Sequence, residues 1–212
     1  MTSSPPIIHL VDDDALFRTA IARLLCASGY HVVLYESADQ FVENVPSQER
    51  GCILLDRQMP GLSGLDLQER LRTIGSILPI VFLTGHGDIP MSVRAIKAGA
   101  EDVLPKPVSK EDLLAAIGRA LALYDQARSR TTRLNSDKAR VASLTPRERQ
   151  VLALLVRGKL HKQIAYELGT AERTVKAHRH SIMMKLKVRS LAEAVSIADR
   201  LGIPDEASSL SQ

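Results

Sequence analysis

The first half of the sequence alternates short apolar segments with segments of helical periodicity. The apolar segments lie at 7–11, 32–35, 52–55, 80–83 and 103–104, and a candidate helix follows each one. Strands that are apolar throughout and alternate with helices predict a parallel sheet covered by helices on both faces. The chain is therefore expected to begin with a five-stranded, doubly wound α/β domain.

The last third of the sequence predicts a smaller, all-α domain of four short helices. Thr145 and Glu148 form a capping-box pattern at the start of the first helix. Gly169 ends the second helix, Thr170 is expected to cap the third, and Ser190 opens the fourth. Short helices joined by a tight turn predict a helix-turn-helix fold.

These patterns divide the chain into four segments. Residues 1–124 form the α/β domain, 143–203 the helical domain and 204–212 a polar, frayed tail. The segment 125–142 is polar and basic and contains neither glycine nor proline, so a helical extension and a flexible linker are both open. We expect a partly helical linker, because no residue in it breaks a helix.

Formal charge is distributed unevenly along the chain. The whole chain carries +4, but residues 1–125 carry −5 and residues 126–212 carry +9. A basic C-terminal half favours a polyanionic partner, of which nucleic acid is the commonest, although a solvated basic surface has the same charge. The acidic half is not expected to bind nucleic acid by itself.

Composition excludes several other classes of protein. Hydrophobic residues make up 45% and charged residues 25% of the chain, which excludes a fully disordered protein. No segment approaches the roughly 18 to 20 apolar residues of a membrane helix, and no secretory signal is visible. Cys26 and Cys52 lie in apolar runs, so we expect buried free thiols in a cytoplasmic protein with no membrane partner.

The predicted strands end in residues suited to phosphoryl chemistry. Asp12 and Asp13 follow the first strand, Asp56 the third, Thr84 the fourth and Lys106 the fifth. Sites in parallel sheets form beyond the carboxyl ends of the strands, so these side chains are expected to converge. Clustered carboxylates favour Mg²⁺, and a carboxylate can accept a phosphoryl group whose charge Lys106 and Thr84 would stabilise. An acidic rim without chemistry is the alternative.

Two sets of motifs resemble those of a known family. The α/β domain resembles the receiver domain of two-component response regulators, on Val11-Asp12-Asp13-Asp14, Asp56-x-x-Met59-Pro60-Gly61-x-x-Gly64, Thr84-Gly85-His86-Gly87 and Lys106-Pro107. The helical domain resembles the LuxR-type output domain of the NarL/FixJ class, on Leu144-Thr145-Pro146-Arg147-Glu148, Thr174-Val175-Lys176 and His178. The run 85–100 is most similar to the FixJ branch. The resemblance implies a flavodoxin-like receiver joined to a DNA-binding helix-turn-helix domain.

The resemblance also implies a role for each strand-end residue. Asp56 would accept a phosphoryl group from a sensor histidine kinase, and Thr84 and Lys106 would contact that group. Asp13 and Asp56 would bind the Mg²⁺ cofactor directly, as would the backbone carbonyl of Gln58. Asp12 would act mainly through water. Phosphorylation would promote homodimerisation and promoter binding, so the chain is interpreted as a transcription regulator and not as an enzyme.

One position departs from the family pattern. Receivers usually carry Tyr or Phe three residues before the lysine, where the ring turns inward when the threonine moves. Val103 stands at that position, and Val108 replaces a frequent Phe two residues after the lysine. Either Val103 packing performs the switch or the coupling is weak. The alternative function is therefore a DNA-binding regulator whose receiver is only weakly coupled to phosphorylation.

The third helix of the helix-turn-helix domain carries the candidate DNA contacts. Its core side is Val175, Ile182 and Leu186. The resemblance places base-reading and phosphate-contacting side chains elsewhere on this helix, at Arg173, Thr174, Lys176, Ala177, Arg179 and His180. For the two arginines a solvated helix face is the alternative. A dimer on paired half-sites of double-stranded DNA is expected, with RNA polymerase as a further partner.

Two other interpretations stay open at this point. Asp12-x-Asp14 faintly resembles the nucleophile motif of phosphatases of the haloacid-dehalogenase type, which need neither Asp56 nor a helix-turn-helix domain. A regulator with a degenerate, ligand-sensing receiver would have lost an acidic residue, and none is lost. His86, two residues after Thr84, is a candidate for tuning the lifetime of the phosphoryl group, and a loop histidine without such a role is the alternative.

Overall fold

The computed structural model of the chain describes residues 5–44, 49–85 and 89–202. The chain forms two compact units, Met1–Arg128 and Ser129–Gln212. No helix within the described residues is both long enough and apolar enough to cross a membrane. His86 and the predicted tail at 204–212 lie outside the described residues.

The first unit is built on five strands and the helices that connect them. The strands are β1 (Ile7–Val11), β2 (His31–Tyr35), β3 (Gly51–Asp56), β4 (Ile80–Thr84) and β5 (Asp102–Pro105). The helices are α1 (Ala15–Ala27), α2 (Ala38–Glu43), α3 (Gly64–Thr73), α4 (Ile89–Lys97) and α5 (Lys110–Ala142). All pairings are parallel, in the order β2-β1-β3-β4-β5, which confirms the predicted doubly wound sheet.

Two hydrophobic clusters cover the sheet. Successive side chains of a strand point to opposite faces, so Val11 and Leu55 join one cluster whereas Leu10 and Leu54 join the other. Every residue of β3 and β4 is buried. Burial on both faces explains why these strands read as continuous apolar runs and end abruptly in polar residues.

The two cysteines differ in their exposure. Cys52 is buried in β3, as predicted, but the prediction that Cys26 is buried is wrong. Helix α1 buries Ile21 and Leu25 on one side, and each further residue of a helix turns by about 100°. Cys26 therefore turns away from the buried side and faces solvent. Both cysteines are free thiols.

The second unit contains the end of α5 and the helices α6 (Pro146–Val156), α7 (His161–Glu167), α8 (Glu172–Leu186) and α9 (Leu191–Arg200). Their apolar faces meet in one core that includes Leu152, Ile164 and Val175. The predicted capping box is present: the Glu148 N–H donates to Thr145, and the Thr145 N–H donates to the Glu148 carboxylate.

The turn between α7 and α8 corrects one capping prediction. Thr170 does not cap α8, because the N-cap is Ala171 and no side chain accepts there. Gly169 adopts a φ of 59°, and the Thr170 N–H then donates back to the carbonyl of Ala165 at 2.9 Å. This pattern closes the C-terminus of a helix. Thr170 therefore ends α7 instead of opening α8.

Helix α5 is continuous over 33 residues and includes the whole segment 125–142. The division between the two units falls inside it, between Arg128 and Ser129. Residues 128–133 are all exposed, whereas Asp137 is buried and Val141 packs against the core of the second unit. The last turns of α5 are thus part of the second unit, and the domain boundaries stay predictions.

His9 is a buried titratable group in the middle of β1. It is 2% exposed, its Nδ1 lies 3.2 Å from the Tyr35 hydroxyl, and its ring packs against Tyr35 and Phe41. Its Nε2 has no hydrogen-bond partner among the described residues. Burial, aided by the nearby His31, lowers the pKa of His9 to about 4. The imidazole is therefore neutral in the folded first unit at neutral pH.

This buried histidine predicts a loss of stability in mild acid. Between pH about 6.5 and about 4 the unfolded state binds a proton that folded His9 excludes, so stability falls as the pH drops through that window. The full loss is roughly 3 kcal/mol, and it is complete below about pH 4. Urea unfolding followed by tyrosine fluorescence, repeated at several pH values, measures it.

The matched control compares two histidines on neighbouring strands. We expect His9→Gln to flatten the pH dependence between 4 and 6.5, whereas His31→Gln, at an exposed position, retains most of it. An unchanged pH dependence in His9→Gln would show that other groups cause the acid loss.

Candidate functional site

Four strands of the first unit end at one edge of the sheet, and each end supplies a polar side chain. Asp12 follows β1, Asp56 and Thr84 are the last residues of β3 and β4, and Lys106 follows β5. Because β1, β3, β4 and β5 are adjacent and parallel, residues 94 positions apart in sequence meet there. Asp12, Asp56 and Thr84 are all buried.

Lys106 bridges two of the carboxylates. Its Nζ lies 2.6 Å from Asp12 Oδ2 and 2.9 Å from Asp56 Oδ1. Burial works against the charged forms: it raises the pKa of Asp12, although hydrogen bonding and charge from Lys106 oppose that shift. Burial also acts to lower the pKa of Lys106, but hydrogen bonds to Asp12 and Asp56 outweigh it and leave that pKa raised. The lysine therefore stays a cation between the two acids.

The second oxygen of each carboxylate accepts a backbone hydrogen bond. The Gln58 N–H donates to Asp56 Oδ2 at 3.2 Å, and the Asp14 N–H donates to Asp12 Oδ1 at 3.0 Å. Asp14 itself caps α1 by accepting from the N–H groups of Leu16 and Phe17. These bonds fix the orientation of both carboxylates without adding a formal charge.

The residues present fit a divalent metal. Oxygen atoms of Asp12, Asp13 and Asp56 lie within 4.8 Å of one another, and Asp13 is exposed. Three carboxylates with one ammonium leave an excess of negative charge, and hard oxygen ligands suit Mg²⁺. The predicted set therefore converges on one acidic pocket, with the Gln58 backbone beside it.

Glycine is required where α3 begins next to this pocket. A Cβ on Gly64 would lie 2.7 Å from the Asp56 carbonyl oxygen and 2.9 Å from the Phe82 ring. No side chain fits at either distance, so the last glycine of the 56–64 motif permits α3 to start against the end of β3. A Cβ on Gly85, by contrast, would meet none of the described residues within 4 Å.

Two residues of α1 support the pocket in ways that sequence patterns do not predict. The Lys106 Nζ lies 4.2 Å above the centre of the Phe17 ring, a cation–π geometry. Arg18 is buried, donates to the Asp12 carbonyl at 2.5 Å and pairs with Glu36 at 3.1 Å. The sequence around Arg18 does not indicate that this side chain is buried, because its partners Asp12 and Glu36 lie outside α1.

Val103, at the usual aromatic position, is partly buried in β5. It packs against the hydrophobic cluster that contains Phe82. Val108 packs instead against the cluster on the other face of the sheet. Between them the Lys106 N–H donates to the Thr84 carbonyl at 2.7 Å, and the Lys106–Pro107 peptide bond is cis.

In the second unit, α8 presents one buried and one exposed side. Val175, Ile182 and Leu186 are buried, as predicted. The candidate DNA contacts divide into two groups by exposure. The exposed group is Arg173, Lys176, Ala177 and His180, and the partly buried group is Thr174 and Arg179. Lys176 forms an ion pair with Glu172 one turn earlier, at 3.1 Å. The exposed group is therefore accessible to a binding partner.

Glu148 connects the start of α6 to the C-terminal half of α8. Besides its part in the capping box, its carboxylate accepts from Ser181 at 2.5 Å and from Lys185 at 2.6 Å. Burial alone would raise the pKa of Glu148, but hydrogen bonds from Lys185, Ser181 and Thr145 lower it to about 2. The adjacent Arg147 donates to the Leu168 carbonyl at the end of α7. The sequence indicates only the capping role of Glu148.

Comparisons with known proteins agree with this geometry. Residues 8–118 match the family described as response regulator receiver domain, and residues 142–198 match bacterial regulatory proteins of the luxR family. The chain is 45% identical to the response regulator protein TodT of Pseudomonas putida, over 95% of this chain and 88% of TodT. It is 39% identical to the transcriptional regulatory protein FixJ of Bradyrhizobium diazoefficiens, over 92% and 96%.

Solved structures give the same result. The response regulator StyR superposes with a TM-score of 0.82 at 47% identity, covering 93% of this chain and all of that one. Full-length FixJ from B. japonicum superposes with a TM-score of 0.57 at 38% identity, covering 94% and 98%.

The fold and the two sites together define a receiver domain joined to a helix-turn-helix domain. The chain belongs to the response regulators, in the class that carries a LuxR-type DNA-binding domain. It is a DNA-binding transcription regulator of that family, in which phosphorylation by a kinase is typical. This confirms the resemblance that its motifs carry.

The bridging position of Lys106 predicts its effect on metal binding. Lys106→Met removes the cation that neutralises Asp12 and Asp56, so Mg²⁺ is expected to bind on the order of tenfold more tightly, a change of about 1.4 kcal/mol. Without metal the variant unfolds at a lower temperature than the wild type, because two acids then face each other. Calorimetric titration with Mg²⁺ measures the affinity.

Lys110→Met is the matched control, since Lys110 is exposed and outside the described ion pairs of the pocket. It should bind Mg²⁺ as the wild type does. Equal or weaker Mg²⁺ binding by Lys106→Met would contradict a competition between the lysine and the metal.

Proposed function

We propose that this response regulator is controlled by phosphorylation of Asp56 and that phosphorylation promotes a DNA-binding dimer. The observation that carries the proposal is the position of Lys106, within 2.9 Å of the Asp56 carboxylate and 2.6 Å of Asp12. Thr84 ends the neighbouring strand. A nucleophilic carboxylate, a cation and a hydroxyl at one sheet edge are the groups that phosphoryl transfer requires.

In this proposal Asp13, Asp56 and the Gln58 carbonyl hold Mg²⁺ directly, and Asp12 acts through water. The metal supplies positive charge next to the phosphoryl oxygens when it is bound. The close spacing of the three carboxylates supports this ligand set. The negative charge of the pocket also favours a bound metal ion, because small hard cations prefer oxygen ligands.

The chemical step is a transfer between two acceptors. An oxygen of Asp56 attacks phosphorus, an O–P bond forms, and the N–P bond to the histidine of the sensor kinase breaks. The electron pair of that bond returns to the imidazole. The Lys106 ammonium moves its contact from the Asp56 carboxylate to a phosphoryl oxygen, and the Thr84 hydroxyl donates to another. Lys106 needs no change of protonation for this movement.

Dimerisation is supported by the exposed apolar side chains of α4. Val93 and Ile96 are each 46% exposed, one turn apart on the helix next to β5. A second receiver that covered both would remove apolar surface from water. Val103 of β5 supports the alternative, weakly coupled function, because a valine already packed against the core has no ring to turn inward.

DNA binding is proposed to run through the exposed face of α8. Lys176, Ala177 and His180 read base edges, Arg173 and Arg179 contact phosphates, and Thr174 lies at the start of the same face. The exposure of Arg173, Lys176, Ala177 and His180 and the formal charge of +9 in residues 126–212 support the assignment. RNA polymerase is a further partner consistent with a transcription regulator.

Sedimentation of the intact chain with Mg²⁺, with and without beryllofluoride, tests the receiver function. Beryllofluoride mimics a phosphoryl group on Asp56, so the wild type is expected to shift from monomer to dimer. Asp56→Asn should show no shift, because it lacks the acceptor oxygen. A wild type that stays monomeric with bound beryllofluoride would favour the weakly coupled alternative and overturn the dimerisation proposal.

The two kinds of α8 contact predict different DNA-binding defects. Arg173→Gln should weaken binding to all duplexes and reduce the slope of log affinity against log salt by about 0.9. Lys176→Gln should lose roughly tenfold in affinity for a sequence selected by the wild type, with less effect on random duplex. Titrations of labelled duplex at several salt concentrations measure both quantities.

Arg23→Gln, which removes an exposed charge on α1, is the control for a general effect of charge. It should leave slope and selectivity unchanged. Equal defects in Arg173→Gln and Arg23→Gln would show that Arg173 is merely solvated.

A further inference from the structure

Asp137 is a buried carboxylate in a stretch whose composition is that of a polar linker. It is 2% exposed, although the residues of 128–133 on the same helix are all exposed. A buried acid is costly unless cations and hydrogen bonds satisfy it. Its partners therefore show what this part of α5 does.

Two arginines from different parts of the second unit reach this carboxylate. Arg200, in the last turn of α9, donates to Asp137 Oδ2 from Nη2 at 2.8 Å and from Nε at 3.2 Å. Arg140, one turn further along α5, lies 3.8 Å from Asp137 Oδ1. We refer to Asp137, Arg140 and Arg200 as the Asp137 cluster.

Arg140 connects the Asp137 cluster to helix α8. Its Nη1 donates at 3.3 Å to the carbonyl of Leu186, the last residue of α8. The last carbonyls of a helix have no partner within the helix, and a cation next to them is favourable. Arg140 therefore holds the C-terminal end of α8 while Asp137 pairs with the end of α9.

The C-terminal half of α8 is thus held by two other helices. Glu148 of α6 binds the side chains of Ser181 and Lys185, and Arg140 of α5 binds the backbone carbonyl of Leu186. Side-chain contacts on one face together with a backbone contact at the end restrict both the position and the rotation of a helix, whereas one contact leaves it able to pivot. Base reading depends on rotation, because a small turn moves side chains away from the base edges.

We propose that Asp137 is a positioning residue for DNA recognition, and that the last turns of α5 belong functionally to the DNA-reading unit. The proposal rests on the proposed function of α8. It adds that the sequence specificity of α8 depends on a side chain of the interdomain helix that need not contact DNA. Affinity for phosphates, which needs only positive charge, does not depend on it.

The first step of the test is to select a duplex from a random pool with the intact wild-type chain. The proposal then predicts that Asp137→Asn loses about tenfold in affinity for the selected duplex, the effect of losing a charged hydrogen bond. Affinity for random-sequence duplex and the salt slope should not change. Asp137→Glu, which retains the carboxylate, should restore most of the specific affinity.

Asp199→Asn is the matched control. Asp199 precedes Arg200 on α9, is exposed, and its substitution changes the net charge by the same amount. Both variants should bind random duplex equally well. If Asp137→Asn also binds the selected duplex as Asp199→Asn does, the positioning role of Asp137 is wrong. If the wild type selects no sequence at all, the proposed function of α8 fails instead.

Circular dichroism of the intact chain establishes whether Asp137→Asn folds. If it does not, Arg140→Gln carries the test, because the Arg140 side chain is 34% exposed and its replacement leaves Asp137 paired with Arg200. The expected result is again a loss of specific affinity with unchanged binding to random duplex. Unchanged specific affinity in a folded Arg140→Gln would overturn the proposal.

Discussion

The receiver unit depends on one ammonium group held between two buried carboxylates. Asp12 and Asp56 lie at the ends of adjacent parallel strands, where like charges repel in a poorly solvated space. Lys106, 2.6 and 2.9 Å from them, makes that arrangement tolerable. The parallel order of the strands brings β5 close enough to supply it, and Gly64 lets α3 begin without displacing the end of β3. The strand order that brings the two carboxylates together therefore also supplies the cation that neutralises them in part.

Most of the fold follows from local patterns that the sequence displays openly. Strand β1 has the predicted bounds, and Asp14, Thr145 and Ser190 cap helices because their side chains reach backbone N–H groups two or three residues away. Thr170 could not be placed in this way. It lies between two helices, and the left-handed φ of Gly169 decides that its N–H closes α7. Competition between neighbouring elements is settled by backbone geometry, which residue type alone does not specify.

The convergence of the acidic side chains was predictable, because strand ends in a parallel sheet meet whatever their separation in sequence. The supporting residues were not. Arg18, Glu148 and Asp137 are buried charges that each have an ion-pair partner 18 to 63 positions away in sequence. In sequence each belongs to a polar helix face. Only packing shows that it is enclosed, so these buried charges become visible only in three dimensions.

Charge balance distinguishes the acidic pocket of the first unit from the buried carboxylates of the second. Among the described residues, Glu148 is matched by Lys185, and Asp137 by Arg200 with Arg140 nearby, so neither carboxylate retains unneutralised negative charge. Asp12, Asp13 and Asp56 share one lysine, and that pocket keeps an excess of negative charge. Balanced clusters have nothing to gain from a further ion and hold helices in place. The unbalanced pocket gains from a cation, and a cation that arrives there must change the contacts of Lys106. The unmatched carboxylates of the first unit thus attract a cation, whereas the matched carboxylates of the second unit hold helices in place.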